Sequence, residues 1–224
     1  MRRLFLAFIF TLIAGGVFAA QFGPSQYPIR ADDGDEVTNF TLSAEQAAQL
    51  AKLQGVITVG NLNGDVTLLQ FYDLNCPFCR EAAADVDALA RADKNLKLVF
   101  VPYAVLSVQS VQGALVEIGV SKLATPEQYL DFHRRIYSGR GTIDGPRALA
   151  AAKDIGLDPQ KVAALSNTED TLNLLRQNAE FGSAAKLVAT PAYVINSVAI
   201  LGHPGLTPLQ KVVAAVRACG KVVC

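Results

Sequence analysis

Cys76 and Cys79 are the residues of this chain whose type and spacing promise chemistry. Two thiols one helical turn apart can close a small ring, and Cys-x-x-Cys is the spacing of a redox dithiol. The residues on either side say how Cys76 is presented. Val66-Thr67-Leu68-Leu69-Gln70-Phe71-Tyr72 is an apolar, β-branched run that reads as a buried strand. The stretch 80–91 is rich in good helix formers, and Pro77 suits the first helical position, where its missing N–H costs nothing. Cys76 therefore stands where a strand hands over to a helix. It faces free backbone N–H groups and the positive end of the helix dipole, and both favour a thiolate. A free cysteine titrates near ~8.5, whereas one in such a motif at a helix N-terminus falls to roughly 3.5–7.5. At neutral pH that turns a mostly protonated thiol into a mostly ionised one, and the thiolate is the attacking and leaving species of disulfide exchange. The same spacing serves half of a zinc site. A structural zinc site takes two further ligands, and no second Cys-x-x-Cys or paired His follows.

The elements that must hold this pair follow from pattern. A second parallel strand is expected over 96–101, which with the helix between makes a βαβ unit. From about 105 to 188 the signal is helical, with segments over 107–120, 125–137, 146–155, 158–165 and 168–187. Thr125-Pro126 and Asp158-Pro159 mark two of the starts. Strands are expected at 192–196 and 198–201, then a last helix over 208–217 capped by Thr207. Upstream, Ser43-Ala44-Glu45-Gln46 is a capping-box pattern opening a short helix, and 56–59 reads as an edge strand. The fold class is thus α/β, with a helical subdomain (105–188) inserted between a βαβ half (56–104) and a ββα half (189–218). This order is the thioredoxin arrangement, interrupted. Residues 20–40, with their Pro, Gly and acidic residues, read as a flexible linker before the short helix, so that 20–55 is linker and helix.

At 224 residues and 51% hydrophobic, the chain is long enough for one sizeable core. Its formal net charge is zero and no basic cluster points to nucleic acid. Arg2-Arg3, an apolar run from Leu4 to Val17 and small residues ending at Ala19 read as a signal peptide over 1–19, cut after Ala19. The run is short for a membrane span of ~20 residues, although a retained anchor is the alternative. An exported, oxidising compartment changes what four cysteines mean, because there they pair or catalyse.

Thr190-Pro191 sits directly before the predicted strand at 192–196. Proline belongs at a strand's first residue, and X-Pro is the bond for which cis is accessible. Gly60-Asn61-Leu62-Asn63-Gly64-Asp65-Val66-Thr67, Phe71-Tyr72-Asp73-Leu74-Asn75-Cys76-Pro77-Phe78-Cys79 and Ala189-Thr190-Pro191-Ala192-Tyr193-Val194-Ile195-Asn196 together resemble the DsbA-like thiol–disulfide oxidoreductases of the bacterial cell envelope. The likeness covers about 56–217. It implies a thioredoxin fold with a helical cap and Cys76 as the exposed nucleophile. Cys79 would be its buried partner, Pro77 and Phe78 the active-site dipeptide, and a cis Pro191 with Thr190 would receive an extended substrate. No cofactor is implied. The implied partners are unfolded or cysteine-containing envelope proteins and a membrane redox partner that re-oxidises or reduces the site.

Two departures limit the likeness. Gln70 stands where many relatives carry a titratable acid, and Phe78 stands where the strongest oxidases carry His, so a milder oxidant is expected; Asp73 is a candidate stand-in for the acid. Cys219 and Cys224 close the chain and read as a local structural disulfide, or else as a tail dithiol that exchanges with the main site or binds metal. His133, in a predicted helix beside Asp131, reads as a surface residue, and His203 as part of a Gly-Pro turn; neither is given a role. The expected protein is a periplasmic disulfide oxidoreductase. Only 20–55 is available for the oligomerising segment typical of isomerases, which leans towards a monomeric oxidase. An isomerase or reductase of the same fold, a thiolate copper or zinc protein, and a peptide-binding chaperone are the rivals.

Overall fold

The computed structural model describes residues 25–224, so the targeting segment and its cleavage point lie outside the described residues. In chain order come β1 (Asn39–Thr41), α1 (Ala44–Leu50), β2 (Ile57–Gly60), β3 (Val66–Tyr72), α2 (Pro77–Ala92) and β4 (Leu96–Pro102). A helical block follows: α3 (Val108–Ser121), α4 (Pro126–Ser138), α5 (Gly145–Asp154), α6 (Pro159–Ser166) and α7 (Glu169–Ala184). The chain then returns to the sheet with β5 (Ala192–Ile195) and β6 (Val198–Leu201), and ends in α8 (Leu206–Cys219).

The sheet order is β1-β6-β5-β3-β4-β2. β3 lies at its heart, parallel to β4 from Val66↔Leu96 to Tyr72↔Pro102 and antiparallel to β5. Because strand side chains alternate between faces, β3 feeds two cores. Leu68 and Tyr72 pack with Phe100 under α2, α4 and α8, while Phe71 packs with Val101 and Val194 under α7. Parallel strands buried on both faces read as continuous apolar runs, which is why β3 and β4 were legible. Within the helical block, α3 and α6 approach so closely that a Cβ on Gly119 would lie 2.3 Å from Ser166 Oγ; only glycine fits there.

Two expectations are corrected. The segment read as a flexible linker is docked over its described part: Ile29 and Val37 are buried, Arg30 bridges Glu36, and β1 pairs with β6 (Phe40↔Ala199). Asn39 fastens it, accepting from Tyr27 N (2.9 Å) and donating to the carbonyls of Tyr27 and Val37 (both 2.8 Å). Its Pro, Gly and acid content reads as linker, but β6 would otherwise be an unpaired edge, and the segment covers it. The last helix starts earlier than expected, with Gly205 at φ 97 as its N-cap, so Thr207 is inside the helix and caps nothing.

Candidate active site

The turn between β3 and α2 is built by Asp73 and Asn75. The Asp73 carbonyl accepts from Cys76 N (3.0 Å), and its carboxylate accepts from Asn75 N (2.8 Å) and from Val105 N and Leu106 N (2.9 Å each). Asp73 is 1% exposed, and the donors to its carboxylate are backbone N–H groups. As a stand-in for the missing acid it is therefore corrected: it fixes the turn and the loop after β4. Asn75 reaches into the helical block, donating to Ile143 O (2.8 Å) and Ser110 Oγ (3.1 Å) and accepting from Ile143 N (2.7 Å). Arg80 donates to the carbonyls of Tyr137 (2.7 Å) and Gly139 (2.6 Å) and lies over the Tyr137 ring. The inserted helices are thus bolted to the dithiol from both sides.

Cys76 is the N-cap residue of α2, with extended backbone and Pro77 behind it. It and Cys79 are both buried and both free thiols. Cys76 Sγ lies 3.0 Å from the carbonyl of Thr190, and the Thr190–Pro191 bond is cis. A carbonyl cannot donate, so that contact exists while Cys76 carries its proton. Other groups favour the thiolate. The Cys79 thiol first, then a side-chain hydrogen bond with Thr190 and the N–H groups of Cys79 and Phe78, hold Cys76 down to about 6 against the opposing effect of burial. Cys79 goes the other way: burial, then its hydrogen bond to Cys76 and the charge there, push it far above the usual thiol range. The pair is therefore split into one sulfur that ionises readily and one that keeps its proton and donates it to the first.

Beneath this pair lies a polar interior that sequence reading missed. Gln70 is 1% exposed and its Oε1 has no hydrogen-bond partner. Glu117 of α3 is fully buried, accepts from Tyr72 OH (2.5 Å) and Tyr129 OH (2.6 Å), and is pushed by burial up to about 7. An acid inside the apolar run Val116-Glu117-Ile118 was the available signal. His133 is corrected from surface to core: it is 3% exposed, its ring is 4.5 Å from Phe100 and 5.0 Å from Tyr137, and burial holds it down to about 3. Helical spacing explains this, because Tyr129, Phe132, His133, Ile136 and Tyr137 share one buried face. His203 lies in the irregular loop between β6 and α8, and its ring joins Tyr193 OH (2.8 Å) to Asp85 Oδ2 (2.9 Å).

Cys219 and Cys224 are bonded to each other, their Cα atoms 6.3 Å apart. Arg217, on the same turn of α8, pairs with Asp65 and with Asp93, the C-cap of α2. The tail therefore sits at the far end of α2 from Cys76, and 16 helical residues span about 24 Å. Exchange between the two pairs within one molecule is out of reach. A bonded pair offers no thiolate to copper or zinc, and among the described residues no group of three or more His, Cys, Asp or Glu is placed to hold a metal ion. Among the same residues, no helix is long and apolar enough to cross a membrane.

A split dithiol at a helix N-terminus, opposite a cis proline on a sheet of this order, defines a thiol–disulfide oxidoreductase of the thioredoxin type. A family model described as thioredoxin matches residues 52–215, and the chain belongs to that family. A thioredoxin-like oxidoreductase from Silicibacter pomeroyi superposes with a TM-score of 0.67 at 27% identity, over 75% of this chain and 96% of its own. The thiol–disulfide exchange protein alpha-DsbA2 from Wolbachia pipientis gives 0.67 at 22% identity, over 78% and 98%. The catalytic domain of Proteus mirabilis ScsC gives 0.65 at 20%, over 75% and 92%. These structures share the fold of this chain. No curated protein matches the chain by sequence.

Proposed function

We propose that the protein is an exported oxidase that introduces disulfides into envelope proteins, with Cys76 as nucleophile and Cys79 as resolving thiol. The observation that carries this reading is the placement of the two sulfurs, Cys76 at the N-cap of α2 and 3.0 Å from the Thr190 carbonyl of the cis Thr190–Pro191 bond, Cys79 buried one turn on, an arrangement that lowers the first thiol and raises the second. In the oxidising direction a substrate thiolate attacks Cys76 Sγ of the Cys76–Cys79 disulfide, and Cys79 leaves and takes a proton. A second substrate thiolate then attacks the mixed disulfide, and Cys76 leaves as thiolate. A membrane partner then removes two electrons, and the one proton carried by Cys79 is released, to close the ring again.

A nucleophile that ionises easily stabilises the reduced form and makes the couple oxidising. The lowering of Cys76 below the ordinary thiol range is the direction that an oxidising couple needs. Phe78 between the cysteines, Val105 and Leu106 on the loop held by Asp73, and Val188 two residues before Thr190 are exposed apolar side chains. They suit an unfolded chain laid along Thr190 and Pro191 by strand addition. The test is the reduction potential of the Cys76–Cys79 couple, with insulin reduction and refolding of reduced and of scrambled substrate in parallel. A potential between about −270 and −120 mV with net oxidation of reduced substrate is expected. Efficient unscrambling without net oxidation would replace the oxidase by an isomerase.

A further inference from the structure

Arginines gather beside the dithiol in a chain that carries no net charge. We propose that the groove between α2 and α4 is a docking channel for acidic client polypeptides, held by their carboxylates while a client cysteine reacts at Cys76. The inference deepens the proposed function and rests on it for taking the partner to be an unfolded polypeptide.

The groove, of about 350 Å³, is lined by Arg80, Ala84, Asp87 and Arg91 of α2 and by Arg134 and Tyr137 of α4. Positions 80, 84, 87 and 91 recur at helical spacing and form one stripe down α2. α4 runs antiparallel to it, since Arg80 meets the carbonyls of Tyr137 and Gly139 while Asp87 meets Arg134 farther down. The Asp87 side chain is 5% exposed, and two guanidinium groups share it, Arg134 on Oδ1 (2.8 Å) and Arg91 on Oδ2. Asp131 is shared in the same way by Arg134 (3.5 Å) and Arg135 (3.1 Å). Three cations on two carboxylates leave positive charge over. The side chains of Arg91 and Arg134 are 65% and 41% exposed, so both still present N–H groups to a ligand.

At the upper end the cations are held without acids. Arg80 and Arg147 of α5 donate to the same two carbonyls, Gly139 (2.6 and 2.8 Å) and Gly141 (3.3 and 2.9 Å). Carbonyls satisfy the N–H groups but cancel no charge. Arg140, on the same loop, is exposed. That loop touches the dithiol turn, because Ile143 at its end exchanges two hydrogen bonds with Asn75, the residue before Cys76. The positive channel therefore opens beside Cys76 and runs down α2.

Chemistry and shape choose the occupant. A guanidinium fork matches a carboxylate, which it binds bidentately. A concave channel takes an extended chain, whereas a lipid surface wants a flat or convex patch. Along α2, Arg80 lies about 6 Å and Arg91 about 22 Å beyond Cys76. An extended client rising ~3.3 Å per residue then sets carboxylates against the arginines from about its second to its seventh residue from the cysteine.

The experiment uses paired peptides with one cysteine and, within that span, either aspartates or asparagines, on the N-terminal side in one set and the C-terminal side in another. Oxidation by the Cys76–Cys79 disulfide is followed, each rate divided by that peptide's rate with glutathione disulfide to remove differences in thiol acidity. In one of the sets the aspartate peptide should be favoured roughly fivefold at low salt, with the gap closing as salt shortens the screening length from ~30 Å at 0.01 M to ~3 Å at 1 M. Arg91→Gln should cut that preference at least twofold, and Asp87→Asn, which strips a carboxylate from the floor, should widen it. A merely structural role would not move the preference in opposite directions at two touching residues. Should Asp87→Asn fail to fold, Arg91→Gln decides alone. Fluorescence anisotropy of the same peptides with Ser for Cys reads docking without the redox step. If neither peptide is oxidised yet the aspartate peptide binds tighter, the oxidase reading falls and the groove stands. Equal rates and equal affinities at low salt, or a preference untouched by Arg91→Gln, would overturn the groove. Sedimentation with phosphatidylglycerol vesicles that is lost in Arg91→Gln, with both peptides bound equally, would overturn it in favour of a membrane surface.

Discussion

Cys76–Cys79 and Cys219–Cys224 are the same two side chains placed at opposite poles of helices. Cys76 caps the N-terminus of α2, where free N–H groups and the dipole favour negative charge, whereas Cys219 is the last residue of α8, where carbonyls oppose it. The first pair is buried and free; the second is exposed and bonded. The surroundings diverge as well. The reactive pair rests on a core that holds Glu117, His133, Gln70 and Tyr137, each with a buried polar atom lacking a hydrogen-bond partner, which costs stability. The tail pair only closes a short loop at the surface. What separates a reagent from a staple here is the electrostatics and burial of the helix end, more than the number of residues between the sulfurs.

The comparison breaks first on activity. Cys76→Ser should lower insulin reduction by at least about 100-fold, whereas Cys219→Ser/Cys224→Ser should stay within about twofold. A large loss in the tail variant would mean the two ends are coupled. Next comes ionisation. Iodoacetamide trapping of Cys76 in the reduced protein should show a midpoint at about pH 6, and a midpoint in the ordinary thiol range would erase the contrast between the helix ends.

Stability should then diverge with pH. The Glu117 carboxyl is raised to about 7 from 4.5, so its favourable contribution is complete below the unfolded value and is lost as pH rises through about 7. Urea midpoints should therefore show Glu117→Gln gaining roughly 3 kcal/mol on the parent between pH 4 and pH 8, with Tyr72 and Tyr129 beside the site unchanged. No relative gain would place that carboxyl in water. The smallest effect belongs to the tail, where removing a disulfide that closes so short a loop should cost roughly 2 kcal/mol by the chain-entropy argument, read as a shift in the same midpoints.

The strand that carries the site, the helix after it and the five inserted helices could be read in the chain because each announces itself locally: continuous apolar runs for β3 and β4, Pro at N1 for α2, α4 and α6. Cys76, Cys79 and Thr190-Pro191 were legible for the same reason. What stayed hidden depends on partners far away in sequence. Asn39 looks like a loop residue until Tyr27 is folded back on it, and His203 looks like a turn residue until Tyr193 and Asp85 close on its ring. His133 and Glu117 were concealed by habit, since charged or titratable residues on helices are usually solvated, and only the apolar residues at helical spacing around them argue otherwise.

One carboxylate joins two duties in this molecule. Through Asp73, the loop bearing Val105 and Leu106 hangs from the same side chain that folds the backbone under Cys76. Whatever rearranges that apolar lip pulls on the turn that aims the sulfur. Under the proposed function, preference for one client over another and readiness to react are therefore traits that cannot drift apart freely, and a lineage adapting its lip to new clients would retune Cys76 in the same stroke.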